Sequence, residues 1–224
     1  MAETPERLTR EMIAMRVALE LNEGDYVNLG IGIPNLVADY TPPEKGVIFH
    51  AENGILGFGR TQEESEYVPN LTNAGGQPVT LIPGSYIMDS AQSFAIVRGG
   101  HLDAAVLGAL QVAENGDLAN YMRPGRKSGS IGGAADIATG ARRLFIAMEH
   151  TTADGQLKIL RRCTYPLTAV GVVDTIFTDI AVIRVTPSGL VLEEVAAGWT
   201  PDAVQALTEP TLQVSPNLHE IAFA

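Results

Sequence analysis

Short apolar runs that break off at glycine or polar turns, and alternate with helical segments, leave this chain few folds to adopt. Tyr26-Val27-Asn28-Leu29 reads as a strand running into Gly30-Ile31-Gly32-Ile33-Pro34, and Asn35-Leu36-Val37-Ala38 then resumes as a helix. Val47-Ile48-Phe49-His50 is a second short strand, and it stops at Ala51-Glu52-Asn53-Gly54. Further strands are predicted over Val79–Ile82, Ala104–Leu107, Leu144–Met148, Ile180–Val185 and Leu190–Glu193. Helices fit between them. Leu8, Met12, Met15 and Leu19 have helical spacing, with Asn22-Glu23-Gly24-Asp25 as the stop. Residues 89–97 and 133–141 also read as helical, and Pro201 opens another helix behind a Thr200 cap. This alternation predicts an α/β fold: an open, mostly parallel sheet with flanking helices, as one domain over residues 1–224. In such sheets ligands bind beyond the carboxyl ends of the strands, so the loops after Asn28 and at Glu52 are expected to share a cleft.

Composition narrows the function. The chain has 224 residues, 46% hydrophobic and 18% charged, with a net charge of −11. Nucleic acid is excluded as a partner, because phosphate-backbone binding needs clustered Lys and Arg. No membrane span of about 20 uninterrupted apolar residues exists, and the opening residues lack the basic-then-apolar layout of a secretory signal, so a cytoplasmic location is expected. The single cysteine, Cys163, excludes an internal disulfide and reads as a small buried hydrophobe. Basic clusters at Arg123, Arg126 and Lys127, at Arg142 and Arg143, and at Arg161 and Arg162 suffice only for a small anionic ligand.

Several chemistries fail on spacing. Gly30-Ile31-Gly32 lacks the third glycine of a dinucleotide fingerprint, and no phosphate loop with Gly-Lys-Ser or Gly-Lys-Thr occurs. Ser85, in Pro83-Gly84-Ser85-Tyr86, lacks the second glycine of a nucleophile elbow and reads as a structural turn. His50, His101, His150 and His219 are too scattered to hold a metal, and none is assigned. Glu149-His150 reads as a hydrogen-bonded strand end. Glu52 stands apart as a carboxylate left at the end of a buried-type strand. On its own, Asn53-Gly54 is a strong turn dipeptide that equally suits an exposed, structural Glu52.

The wider pattern changes that balance. Asn28-Leu29-Gly30-Ile31-Gly32-Ile33-Pro34 and Glu52-Asn53-Gly54-Ile55-Leu56-Gly57 closely resemble the B-type, or beta, chains of 3-oxoacid coenzyme A transferases. So do, in order, Asn73-Ala74-Gly75, the run from Ser93 to His101, Gly116-Asp117-Leu118-Ala119-Asn120, Gly132-Gly133-Ala134-Ala135-Asp136, Met148-Glu149-His150-Thr151 and the run from Cys163 to Thr168. The resemblance implies that Glu52 is the nucleophile, that Asn28 is an active-site asparagine beside it, and that the Gly133 N–H forms part of an oxyanion site with Gly132. Asn53 falls in the same substrate-binding group. Arg123, Arg126 and Lys127 are candidate contacts for the phosphates of coenzyme A (CoA). The resemblance also implies an A-type, or alpha, CoA-transferase partner of similar fold, in an α2β2 heterotetramer. It implies no permanently bound cofactor, with CoA serving as substrate and as the covalent glutamyl-CoA intermediate.

The expected activity is transfer of CoA between succinyl-CoA and a 3-oxoacid such as acetoacetate. Acetate/butyrate or 3-oxoadipate transfer are the near alternatives. The distant ones are a CoA-ester hydrolase, a sugar-phosphate isomerase or a non-catalytic partner chain. A glutamate of ordinary pKa near 4.3 needs no base to activate it, which accounts for the missing histidine partner. Three positions depart from the family pattern: Gly76 where lysine is common, Ala51 where serine is common, and Gly57-Phe58-Gly59-Arg60 in place of Gly-Met-Gly-Pro. They bear on the substrate more than on the chemistry.

Overall fold

The computed structural model describes residues 5–61, 68–125 and 129–223. In chain order the elements are α1 (Arg10–Glu20), β1 (Tyr26–Leu29), α2 (Ile33–Tyr40), β2 (Ile48–Ala51), β3 (Ile55–Thr61), β4 (Val79–Ile87), α3 (Ser90–Arg98), β5 (Ala104–Leu107), β6 (Gln111–Ala113), β7 (Leu118–Ala119), α4 (Ala134–Gly140), β8 (Leu144–Ala147), β9 (Ile159–Leu160), β10 (Thr175–Phe177), β11 (Ala181–Thr186), β12 (Gly189–Val195), α5 (Pro201–Ala206) and β13 (Leu212–Glu220). Side chains start three of the helices by accepting orphan N–H groups: Thr9 from Met12 in α1, Asp89 from Gln92 in α3, and Thr200 from Ala203 in α5.

Among the described residues ten strands form one sheet in the order β13-β12-β11-β10-β8-β5-β1-β2-β3-β4. The five central strands, β10-β8-β5-β1-β2, are parallel, and antiparallel pairs β10-β11, β11-β12, β2-β3 and β3-β4 extend them at both sides. The expected α/β fold with an open, mostly parallel sheet is therefore what forms. A small sheet, β7-β6-β9, sits apart from it.

Both faces of the central strands are covered, which is why they read as continuous apolar runs. Alternate residues point to opposite faces. Ala104 and Val106 of β5, with Phe145 and Ala147 of β8, join Ile13 and Val17 of α1 and Val37 of α2 on one face. Ala105, Leu107, Leu144 and Ile146 join Val97 of α3 and Ile137 of α4 on the other.

The outer strands differ from expectation. β4 does not stop at Ile82 but continues to Ile87, so Pro83-Gly84-Ser85-Tyr86 lies inside a strand. Its pairing with β3 jumps from Phe58↔Leu81 to Leu56↔Tyr86, which makes residues 82–85 a bulge. A bulge in an edge strand tolerates a proline, since no neighbour needs its missing N–H. The apolar pattern also fails to predict β3, β10 and β13. Gly57, Gly59 and Arg60 obscure the first, and Pro216 interrupts the last. Among the described residues no helix is long and apolar enough to cross a membrane.

Candidate active site

Parallel pairing brings the carboxyl ends of β1, β2, β5 and β8 to one edge of the sheet. Glu52 follows β2 directly and is half-buried there. A tight turn fixes the chain behind it: Gly54 N–H donates to Ala51 O at 3.0 Å, and Met88 N–H donates to Gly54 O at 2.9 Å. Gly54 has φ +117°, and a Cβ at this position would overlap the Met88 carbonyl oxygen. Only glycine fits this turn.

Asn28 and His50 lie opposite each other in the β1-β2 register, and both are fully buried. The Asn28 amide nitrogen is 3.0 Å from His50 Nδ1 and 3.2 Å from His50 O. His50 Nε2 is 2.9 Å from Ser93 Oγ, and Ser93 Oγ is 2.9 Å from the main-chain oxygen of Glu52. Burial pushes the His50 pKa down to about 4, so the ring is neutral at pH 7. Asn28 thus reaches Glu52 through His50 and Ser93, and its own Oδ1 is buried without a partner among the described residues.

Other runs of the family pattern converge on the same place. The Asn53 side chain donates to Thr72 O at 2.8 Å, while Asn73 Oδ1 accepts from the N–H groups of Gly75 and Gln77. Gly75 lies against the Asn35 amide, and Gly133 against the Phe94 ring, next to Ser93. Gly133 is the N-terminal cap residue of α4, with no side chain capping that end, and Gly132 precedes it with φ +50°.

Burial raises the Glu52 pKa above the ordinary carboxylate value, against a smaller lowering by the main chain. Among the described residues its carboxylate has no cationic partner. Arg123 is not brought to Glu52. It lines a cavity of about 860 Å³ with Lys158, Arg7, Arg10, Glu149 and Asp179, and Glu52 is not on that wall. Arg126 and Lys127 lie outside the described residues.

The other candidate groups are occupied or inert. His150 is buried between the Thr178 and Thr208 hydroxyls, each at 3.0 Å, as a strand-end histidine should be. The half-buried Cys163 thiol is pushed up to about 11 by burial and stays protonated. Among the described residues no group of His, Cys, Asp and Glu is placed to hold a metal. Sequence reasoning missed the roles of His50 and Ser93. A signal existed in the polar pair Asn28 and His50, each embedded near the end of an apolar strand.

The family model for coenzyme A transferase matches residues 10–207. The chain belongs to the coenzyme A transferase family. It is 48% identical over 210 residues to the beta chain of the acetate CoA-transferase of Escherichia coli (strain K12), covering 94% of this chain and 96% of that one. It is 48% identical over 203 residues to the B chain of the 3-oxoadipate CoA-transferase of Pseudomonas putida, covering 90% and 95%. A mitochondrial succinyl-CoA:3-ketoacid coenzyme A transferase of Mus musculus is 46% identical over 212 residues, 94% of this chain but 41% of the mouse protein. The fold is shared with the acyl-CoA transferase of Escherichia coli O157:H7, at a TM-score of 0.76 and 22% identity over 100% of this chain and 45% of that one. This coenzyme A transferase therefore has full-length relatives that are named as beta or B subunits.

Proposed function

We propose that this chain is the catalytic component of a CoA transferase in which Glu52 is the nucleophile. The observation that carries the reading is a half-buried carboxylate without a cationic partner among the described residues, held at the carboxyl edge of a parallel sheet by a glycine-only turn. Burial that disfavours the anion makes it a stronger base and nucleophile. Glu52 attacks the thioester carbonyl of an acyl-CoA; a C–O bond forms, the C–S bond breaks, and CoA leaves as thiolate. The thiolate then attacks the glutamyl carbonyl of the mixed anhydride, releasing the donor acid and leaving glutamyl-CoA. An incoming carboxylate reverses both steps and departs as the new acyl-CoA. Each tetrahedral intermediate carries an oxyanion, for which the Gly133 N–H is the proposed donor. Asn28 supports the site from below, Asn53 anchors the loop at Thr72, and Arg123, Arg126 and Lys127 are the proposed contacts to the CoA phosphates.

For the acids, the resemblance to 3-oxoacid transferases and the 46% identity to the mouse relative support exchange between succinyl-CoA and a 3-oxoacid, while the departures at Gly76 and Arg60 count against it. The 48% identity to the acetate and 3-oxoadipate enzymes supports those acceptors as the second reading. The names of these relatives as beta or B subunits also support an alpha partner chain; the α2β2 arrangement proposed for the pair rests on the family resemblance alone. Exposed Ile31 (68%), Tyr86 (54%) and Ile87 (62%) offer an apolar surface for it near the Glu52 edge.

The assay is CoA exchange by the assembled enzyme over a panel of carboxylic acids. Transfer requires a second acid, follows ping-pong kinetics and is lost in Glu52→Ala. Acyl-CoA consumption without any acceptor would instead establish a hydrolase, and full turnover in Glu52→Ala a structural role for Glu52.

A further inference from the structure

We infer that His50 and Ser93 are positioning residues that hold the Glu52 main chain through a hydrogen-bond chain with one permitted direction. The inference rests on Glu52 being the nucleophile, as proposed above. Its direction follows from two main-chain carbonyls that can only accept. Glu52 O lies 2.9 Å from Ser93 Oγ, so the Ser93 hydroxyl proton is committed to it. Ser93 Oγ, 2.9 Å from His50 Nε2, must then accept from that nitrogen. His50 therefore carries its single proton on Nε2, which leaves Nδ1 bare to accept from the Asn28 amide at 3.0 Å. The second proton of the same amide goes to His50 O at 3.2 Å, which also excludes the flipped amide, since that would set two oxygens together.

Every proton in this buried chain has one destination. The opposite tautomer would present Nδ1–H to the amide donor of Asn28 and leave Glu52 O without the Ser93 proton. An unmade buried hydrogen bond is costly, so the arrangement is strongly selected. Ser93 is anchored by α3, and His50 and Asn28 by the paired strands β2 and β1. The main chain at Glu52 is thereby tied to two strands and a helix, while its carboxylate has no such tie among the described residues. Such a design keeps the attacking oxygen's pivot fixed while the side chain passes between carboxylate, anhydride and thioester. Misplacing a reacting group by about 1 Å costs on the order of a hundredfold in rate.

Two measurements on the enzyme assembled with its partner chain test this. Nitrogen-15 spectra of histidine-labelled enzyme, with His50 assigned by its loss in His50→Gln, should show the proton on Nε2; a proton on Nδ1 overturns the chain. The second is the single-turnover rate of CoA-adduct formation on Glu52. Ser93→Ala should slow it roughly ten- to a hundredfold at saturating acyl-CoA, with the half-saturating concentration within about twofold of wild type. An unchanged rate, or an effect confined to half-saturation, overturns the positioning role. Wild-type enzyme that forms no adduct on Glu52 refutes the proposed nucleophile instead, and the tautomer measurement does not depend on it.

Discussion

Replacing Gly54 with alanine separates the turn that presents Glu52 from an ordinary loop. Gly54 has φ +117°, well outside the left-handed basin near +57° that other residues occasionally visit. Backbone strain of this kind costs about 1–3 kcal/mol. The new methyl would also overlap the Met88 carbonyl oxygen, and Met88 cannot retreat cheaply because its N–H is bonded to Gly54 O at 2.9 Å. Overpacking adds about 1–3 kcal/mol. The two together make roughly 4 kcal/mol, or a urea midpoint lower by about 1.5 M at a slope near 2.5 kcal/mol/M. Gly76→Ala is the control: its φ is +77°, but a Cβ there has nothing within 4 Å, so it bears strain alone, about 1–2 kcal/mol. Urea unfolding of the assembled enzyme at fixed protein concentration measures both. A Gly54→Ala shift no larger than that of Gly76→Ala would refute the argument from the Met88 contact.

Acid should destabilise the fold through two buried neutral histidines. His50 and His150 are both held at about 4, below the 6.5 of an unfolded histidine, so the unfolded chain binds the extra protons. Their contribution is complete above pH 6.5 and is lost as pH falls towards 4, on the order of 2 kcal/mol each at pH 5; equal urea midpoints at pH 7 and 5 would contradict it. Because burial raises the Glu52 pKa, the acid limb of kcat/KM should lie above the ordinary glutamate value within the range where the enzyme stays folded, and a limb at or below about 4.3 would argue that the carboxylate is solvated. Ile87→Lys places a charge on the exposed apolar surface beside β3, and should weaken recovery of the partner chain about tenfold or more without lowering the stability of the isolated chain; undiminished recovery would place the interface elsewhere.

Four of the five central strands, β1, β2, β5 and β8, were legible because they are largely buried and so are written as mainly apolar runs, as in Ala104–Leu107, whereas the three-residue β10 was too short to stand out. The flanks were not. β3 carries Gly57 and Gly59 because it packs closely on the bulged β4, and glycine in a strand reads as a break. The pattern of β4 itself stops short at Pro83, where an edge bulge accommodates the proline. At the site, Glu52 was visible as a carboxylate at a strand end and in its motif run. Ser93 was hidden inside an amphipathic helix, since only the folded chain brings its hydroxyl to a carbonyl 41 residues away in sequence. Arg123 stands out in the sequence for its charge, and only the folded chain shows that it lines a cavity with Lys158, Arg7 and Arg10 whose wall does not include Glu52.

The central claim is that Glu52 carries the acyl and CoA groups in turn. Incubating the assembled enzyme with an acyl-CoA in the absence of acceptor, followed by peptide mass spectrometry, tests it most directly. A CoA adduct is expected on the peptide containing Glu52, removed when a carboxylic acid acceptor is added and absent from Glu52→Ala. An adduct on any other residue, or transfer at the wild-type rate with none on Glu52, would contradict it.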